Sequence, residues 1–273
     1  MRVIYTFVFN ESENPGGSLL ATGKTIQEYM KEYRKLGNHV KRYEFAKQFV
    51  KDKEVVEFGC GYGAGATLMN NIYKRYIGVD IDKVAIEYAQ THSVQNYNNA
   101  RFELLSNFKE NYRFDMADVV ICYEVIEHVA DTRGLLVFLQ SLIKKNGIII
   151  LSTPNGLSSQ GNKSLFRSEY HVHEFTPKQF YELCSEFGKV KLFGERRIDR
   201  IDVKGLQHRL ITYRRSNSVS KAKVGPEPLY KSRILDMAVN HLNKRIFWKI
   251  YPTTPRKEEN KLSCSTLLAI ISK

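Results

Sequence analysis

Glu124, Glu127 and His128 fall at spacings of three and four. A helical turn beginning there would set two carboxylates and an imidazole on one face. That set has the composition of a hard-cation site, which takes oxygen and imidazole ligands. Downstream, His171-Val172-His173-Glu174 offers a fourth ligand, with His173 expected ahead of His171. A divalent ion chelating two adjacent hydroxyls lowers the pKa of the attacking oxygen and aims it. A metal-free site remains open, with Glu127 and His128 as the catalytic pair and His128 as general base. So does a third reading in which His128 only anchors its loop.

A second constellation lies upstream, where Gly59, Gly61, Gly63 and Gly65 crowd the turn after the apolar segment Val55–Phe58. Glycines there let backbone approach a ligand closely at the start of a helix. Gly59-x-Gly61-x-x-Ala64 satisfies the relaxed dinucleotide fingerprint, and a plain tight turn is the alternative without function. Glu57 weighs against a diphosphate. A carboxylate two residues before the first glycine repels phosphate but suits a cationic sulfonium ligand that carries an ammonium group. Asp80, at the end of the next apolar segment, is placed to accept hydrogen bonds from two ribose hydroxyls.

These residues need a scaffold, and hydrophobic periodicity supplies one. From Lys24 to about Val50 the spacing is helical, interrupted at Gly37-Asn38. Strands are expected at Val55–Phe58, Tyr76–Asp80, Phe102–Leu105, Asp118–Cys122, Gly147–Ser152, Val190–Phe193 and Thr266–Ile271. Helices are expected at Ala66–Tyr73, Lys83–Thr91, Thr132–Lys144 and Pro177–Phe187. Continuous apolar strands alternating with helices mean an α/β fold whose mostly parallel sheet is covered on both faces. Such a sheet binds ligands at the carboxyl ends of its strands, where Glu57, Asp80, Glu124 and Asn155 fall.

The organisation expected is an N-terminal helical or cap segment (1–50), a ligand-binding domain (51–197 plus 263–273) and a basic insertion or lid (198–262). The chain's formal net charge of +13 lies wholly in residues 189–273, which carry 20 Lys+Arg against 7 Asp+Glu. An anionic partner would therefore meet that third. Leu235, Val239, Leu242, Ile246 and Ile250 make a helical stripe flanked by basic residues. That stripe fits a lid helix on the sheet, or a helix that contacts a membrane surface peripherally. Cys60, Cys122, Cys184 and Cys264 are scattered, as for buried thiols in a reducing compartment. With no apolar run of signal or membrane-spanning length, a cytoplasmic location is expected.

Together, Glu57-x-Gly59-x-Gly61-x-Gly63, Gly78-Val79-Asp80, the stretch from Asp118 to His128 and Ser152-Thr153-Pro154-Asn155 resemble successive motifs of class I S-adenosylmethionine-dependent methyltransferases. The resemblance covers about residues 40–195 plus the last strand. It implies a Rossmann-like sheet, mostly parallel with its last strand antiparallel, and S-adenosylmethionine as methyl donor. Glu57, Gly59, Cys60 and Gly61 would line the methionine end, with Asp80 and Ile81 at the ribose and Tyr123 nearby. Asn107 stands where the family often has an Asp at the adenine, a departure from the pattern.

Glu124-x-x-Glu127-His128 with a later His resembles two metal-using branches, the ubiquinone-pathway O-methyltransferases and the small-RNA 3′-terminal 2′-O-methyltransferases. By that resemblance Mg2+ or Mn2+ would sit on Glu124, Glu127, His128 and His173. The stretch from Tyr43-Glu44-Phe45-Ala46 to His171-Val172-His173-Glu174-Phe175-Thr176 most resembles methyltransferases of bacterial polysaccharide synthesis. A sugar hydroxyl of a glycan, or of an anionic glycan precursor, is the acceptor this implies. RNA, contacted through the basic third, is the alternative.

Overall fold

A computed structural model describes residues 37–92, 99–106, 109, 112–157, 171–199, 246–257 and 264–273. Eight strands form one sheet: β1 (Glu54–Phe58), β2 (Arg75–Asp80), β3 (Ala100–Leu104), β4 (Ala117–Tyr123), β5 (Ile143–Pro154), β6 (Lys189–Asp199), β7 (Ile246–Pro252) and β8 (Thr266–Ser272). Their spatial order is β3-β2-β1-β4-β5-β8-β6-β7. From β3 to β5 every pairing is parallel. β8 runs antiparallel to both β5 and β6, so the sheet is mostly parallel with its last strand reversed.

The chain steps outward from β1 to β2 and β3, then returns to lay β4 on the other side of β1. That reversal opens a crevice beyond the carboxyl ends of β1 and β4. Side chains alternate across the sheet. Val56 and Phe58 enter one buried cluster with α4 (Thr132–Leu142) and α5 (Pro177–Ser185). Val55 enters a second, opposite cluster. On that face lie α1 (Gly37–Val50), α2 (Ala64–Leu68) and α3 (Lys83–His92). Both faces are thus covered by helices, as the unbroken apolar strands require.

Local chemistry sets the helix boundaries. Asp131 caps α4 by accepting the Gly134 N–H at 2.8 Å, and Leu135, Leu136, Phe138, Leu139 and Leu142 form its buried stripe. Thr176 and Gln179 form a reciprocal capping box at α5, with Pro177 in the first turn.

Some expected elements change extent. α2 is one short turn at Ala64–Leu68 rather than a helix to Tyr73. Ile246–Pro252 is a strand, not the end of a helical stripe. Its run of β-branched and aromatic residues favours a pleated edge, where they pack better than on a helix. The rest of that stripe and the helix expected before Gly37 lie outside the described residues.

The chain divides into two compact units, Met1–Arg196 with Ile250–Lys273, and Arg197–Lys249. All of the side chains discussed below belong to the first. The second is described only at its ends, in β6 and β7. No helix among the described residues is long and apolar enough to cross a membrane.

Candidate active site

The glycine turn after β1 is built from backbone that other residues tolerate poorly. Gly59, Gly61 and Gly63 have φ of 80°, 51° and 80°, a region that costs any residue with a Cβ. The turn is tied to β2 by the Gly59 and Cys60 N–H groups, which donate to Val79 O at 2.8 and 3.1 Å. A Cβ on Gly59 would run into Val125 Cγ2, whereas one on Gly61 would meet nothing within 4 Å. The first glycine is therefore needed for packing, and the second faces open space.

Asp80 ends β2 under this turn. Its Oδ2 accepts the Gly61 N–H at 2.7 Å and its Oδ1 the Asp82 N–H at 2.9 Å. Burial raises its pKa, and these backbone donors oppose the rise. A carboxylate pinned by amides with its edge at the crevice is suited to a ribose diol. Ile81 beside it is 37% exposed. Asn107 lies outside the described residues.

Glu57 has a different setting from the one expected. It is buried, and Tyr43 Oη donates to its Oε1 at 2.6 Å while Tyr76 Oη donates to its Oε2. A Cβ on Gly65 would collide with the same carboxyl. Glu57 thus backs the turn from inside the second core, behind tyrosines, instead of lining its open face. Burial pushes its pKa up to about 8, against the pull of the Tyr43 hydrogen bond and with a small further push from Asp80. Cys60 is buried, and burial raises its thiol pKa well above the ordinary value. Tyr123 is also buried: its hydroxyl donates to Arg42 O at 3.3 Å, and its ring meets Tyr43 edge-on at 5.5 Å. Tyr123 therefore packs α1 onto β4.

The chemistry-bearing segment follows β4. Glu124 takes a left-handed backbone, φ 54°, and Ile126–His128 form a 3-10 turn. Glu124 Oε1 accepts the Ser152 hydroxyl at 2.8 Å and pairs with Arg42 Nη1 at 3.1 Å. Glu127 is buried and accepts the Thr153 hydroxyl at 3.2 Å. Burial first, and Glu124 second, raise its pKa well above the ordinary carboxylate range. His128 Nε2 stands 4.0 Å from Glu127 Oε1.

Of the two downstream imidazoles, the structure brings His171 to this pair. One ligand atom each from Glu127, His128 and His171 lie within 4.8 Å of one another, and the rings of His128 and His171 meet edge-on at 4.9 Å. Burial and the neighbouring His128 lower the pKa of His171, favouring the neutral form that binds metals. His173 instead sets its Nε2 3.2 Å from Ala130 O and its ring against Phe175. The reason is in the backbone. Val172 and His173 N–H both donate to Glu127 O, at 2.8 and 3.0 Å, which docks the segment against Glu127, with the His171 ring on His128 and the His173 ring turned to Ala130 O and Phe175. Only His171 then faces His128.

The donor set, one carboxylate and two imidazoles, fits a divalent ion. Ligands each about 2.1 Å from a shared ion stand at most about 4.2 Å apart, so the three groups would close by a fraction of an ångström around one. The glycine turn and Asp80 likewise fit a nucleoside.

Three residues around this site, Arg42, Glu195 and His39, are not singled out by the sequence patterns above. Arg42 is 1% exposed and pairs with Glu195, 0% exposed, through Nε to Oε2 at 2.8 Å. His39, on the same helix, has its pKa lowered to about 4 by burial and by Arg42, with Glu124 opposing. The signal for Arg42 was available: it shares the i, i+4, i+8 stripe with Ala46 and Val50 on α1, a cation on a buried face.

Comparison with known proteins identifies the family. A family model described as a methyltransferase domain matches residues 26–190. A protein of Mycolicibacterium smegmatis, described as a probable S-adenosylmethionine-dependent methyltransferase, is 24% identical over 64% of this chain and 66% of its own. A ubiquinone biosynthesis O-methyltransferase of Rickettsia akari is 30% identical over 49% of this chain and 57% of its own. The chain thus spans less than two thirds of the length of either relative. The solved structure of an S-adenosylmethionine-dependent methyltransferase from Archaeoglobus fulgidus superposes on 91% of this chain and all of its own, with a TM-score of 0.55 at 17% identity.

Proposed function

The chain belongs to the class I S-adenosylmethionine-dependent methyltransferases, and from that premise we propose that it methylates an oxygen of a hydroxylated acceptor. The observation that carries this reading is the convergence of Glu127, His128 and His171 beyond β4, on the segment whose Val125 packs against Gly59 of the glycine turn. Bound S-adenosylmethionine supplies a methyl group on a positively charged sulphur. A free alcohol is a weak nucleophile near neutral pH, so the chain's task is to deprotonate and aim it. His128 takes the acceptor proton as the carbon–oxygen bond forms and the carbon–sulphur bond breaks. Glu127, held by Thr153, orients His128 and faces any positive charge developing on it. Alternatively, with His128 a ligand rather than the base, a divalent ion, Mg2+ or Mn2+, on Glu127, His128 and His171 would lower the pKa of the attacking hydroxyl and orient its neighbour.

The acceptor proposed is a sugar hydroxyl of a glycan or glycan precursor, with two adjacent oxygens as the recognised unit. That choice follows the resemblance of the Tyr43–Ala46 and His171–Thr176 segments to polysaccharide-type enzymes. A second acceptor class, a small molecule with adjacent oxygens, follows from the similarity to ubiquinone biosynthesis O-methyltransferases. RNA is the third, through the positive charge of residues 189–273. Transfer of labelled methyl from S-adenosylmethionine to nucleotide sugars, catechols and short RNAs separates them. Label on a sugar or a catechol is the expected result, abolished by a chelator and restored by Mn2+. Label on an amine, or transfer indifferent to chelation, contradicts the oxygen-and-cation reading.

A further inference from the structure

We propose that Arg42, braced by Glu195, is a positioning residue of the acceptor side, acting through Glu124; the proposal rests on the methyl-transfer reading above. Three charges from three elements meet here. Arg42 comes from α1, Glu124 from the end of β4 and Glu195 from β6, which runs parallel to β5 and so brings Glu195 to the same end of the sheet. Arg42 and Glu195 are 1% and 0% exposed, and the Glu124 side chain is 23% exposed. Burying such a group seldom stabilises a fold more than an apolar replacement would. What the arrangement supplies is placement.

Glu124 is the residue being placed. Its left-handed φ of 54° is uncommon for a residue with a Cβ, and such strain persists only where the surroundings over-determine it. Here the surroundings are specific. The Glu124 N–H donates to Ser152 O at 3.2 Å, the Ser152 hydroxyl donates to Oε1 at 2.8 Å, and Arg42 Nη1 lies 3.1 Å from the same oxygen. One carboxylate oxygen is anchored twice. The Glu124 side chain remains 23% exposed, so the residue is held at one oxygen without being closed off. Glu124 also bears electrostatically on both Glu127 and His171. The guanidinium reaches both carboxylates from separate nitrogens, Nε donating to Glu195 and Nη1 ion-paired with Glu124, a span that a single ammonium lacks. Glu195 holds the far side of that fork and balances its charge.

Arg42→Lys in the full chain tests this, because it keeps the charge and removes the fork. Mn2+ alone is the probe, titrated by electron paramagnetic resonance, with adenosylhomocysteine affinity by calorimetry as the control for an intact donor site. We expect Mn2+ affinity to fall at least fivefold, with adenosylhomocysteine affinity within twofold of the parent. In a Glu124→Gln background the same substitution should cost nothing further, as for two residues acting as a unit. A purely structural strut would lower melting temperature while leaving Mn2+ affinity unchanged, or would add its effect in full to Glu124→Gln; either result overturns the proposal. Should Arg42→Lys fail to fold, Glu195→Gln, nearly isosteric, is measured in its place with the same expectation. If the parent chain itself takes up no Mn2+, the cation reading of the site fails separately. The crystal structure of Arg42→Lys then decides. Glu124 departing from Ser152 supports the positioning role, and Glu124 unmoved refutes it.

Discussion

Burial of its carboxyl, opposed by the Tyr43 hydrogen bond, gives Glu57 a distinct pH signature. Its folded pKa, about 8, lies above the ordinary value of 4.5. A carboxyl raised on folding contributes stability that is complete below its unfolded pKa and is lost as pH rises through the folded one. The window is therefore about pH 4.5 to 8. Glu57→Gln, neutral throughout, should gain melting temperature relative to the parent as pH goes from 5 to 8.5; a constant difference would contradict the assigned burial. At the Glu127–His128–His171 cluster, His171→Ala should weaken Mn2+ uptake at least tenfold, while His173→Ala changes it less than threefold. The reverse ranking would restore His173 as the ligand. The residue types at these positions were legible in the sequence, and Asp80 sits where its spacing puts it. Orientation was not legible. Which of His171 and His173 faces His128 depends on two backbone hydrogen bonds to Glu127 O. Glu57's tyrosine partners come from another helix and another strand.

At the scale of elements, the crevice depends on short, strained connections more than on long helices. The turn after β1 has three consecutive odd-numbered glycines in left-handed backbone. Gly59→Ala adds a Cβ that collides with Val125 as well as forcing an unfavourable φ. It should destabilise the chain by about 1–3 kcal/mol and depress adenosylhomocysteine affinity, both measurable by thermal melts with and without ligand. Gly61→Ala, with open space at its Cβ, should cost less stability while still impairing binding; equal losses in stability would refute the packing role given to Gly59. The strands were read from sequence because unbroken apolar runs leave little else. α2 was over-extended because Leu68, Met69 and Tyr73 keep helical spacing beyond the point where the helix ends. β7 was misread because Ile246 and Ile250 fall on both a helical and a pleated period.

Across the whole molecule, charge is separated. The excess of Lys and Arg lies after residue 188, while the acidic groups of the site lie before it or at Glu195. If phosphate backbones are bound there, filter-retained RNA should be lost steeply between about 50 and 200 mM salt. With a glycan or catechol acceptor, RNA retention should be weak, with little sequence or length dependence. Sedimentation with anionic vesicles gives the corresponding test for a membrane surface. The fold, the domain family and the donor site all depend on the sheet reversal between β1 and β4, and calorimetry at that crevice tests the account most directly. Titrated into the full chain, adenosylhomocysteine should bind with a dissociation constant in the micromolar range, NAD should give no measurable heat, and Asp80→Ala should weaken the former at least tenfold. Tight uptake of NAD with none of adenosylhomocysteine would contradict it.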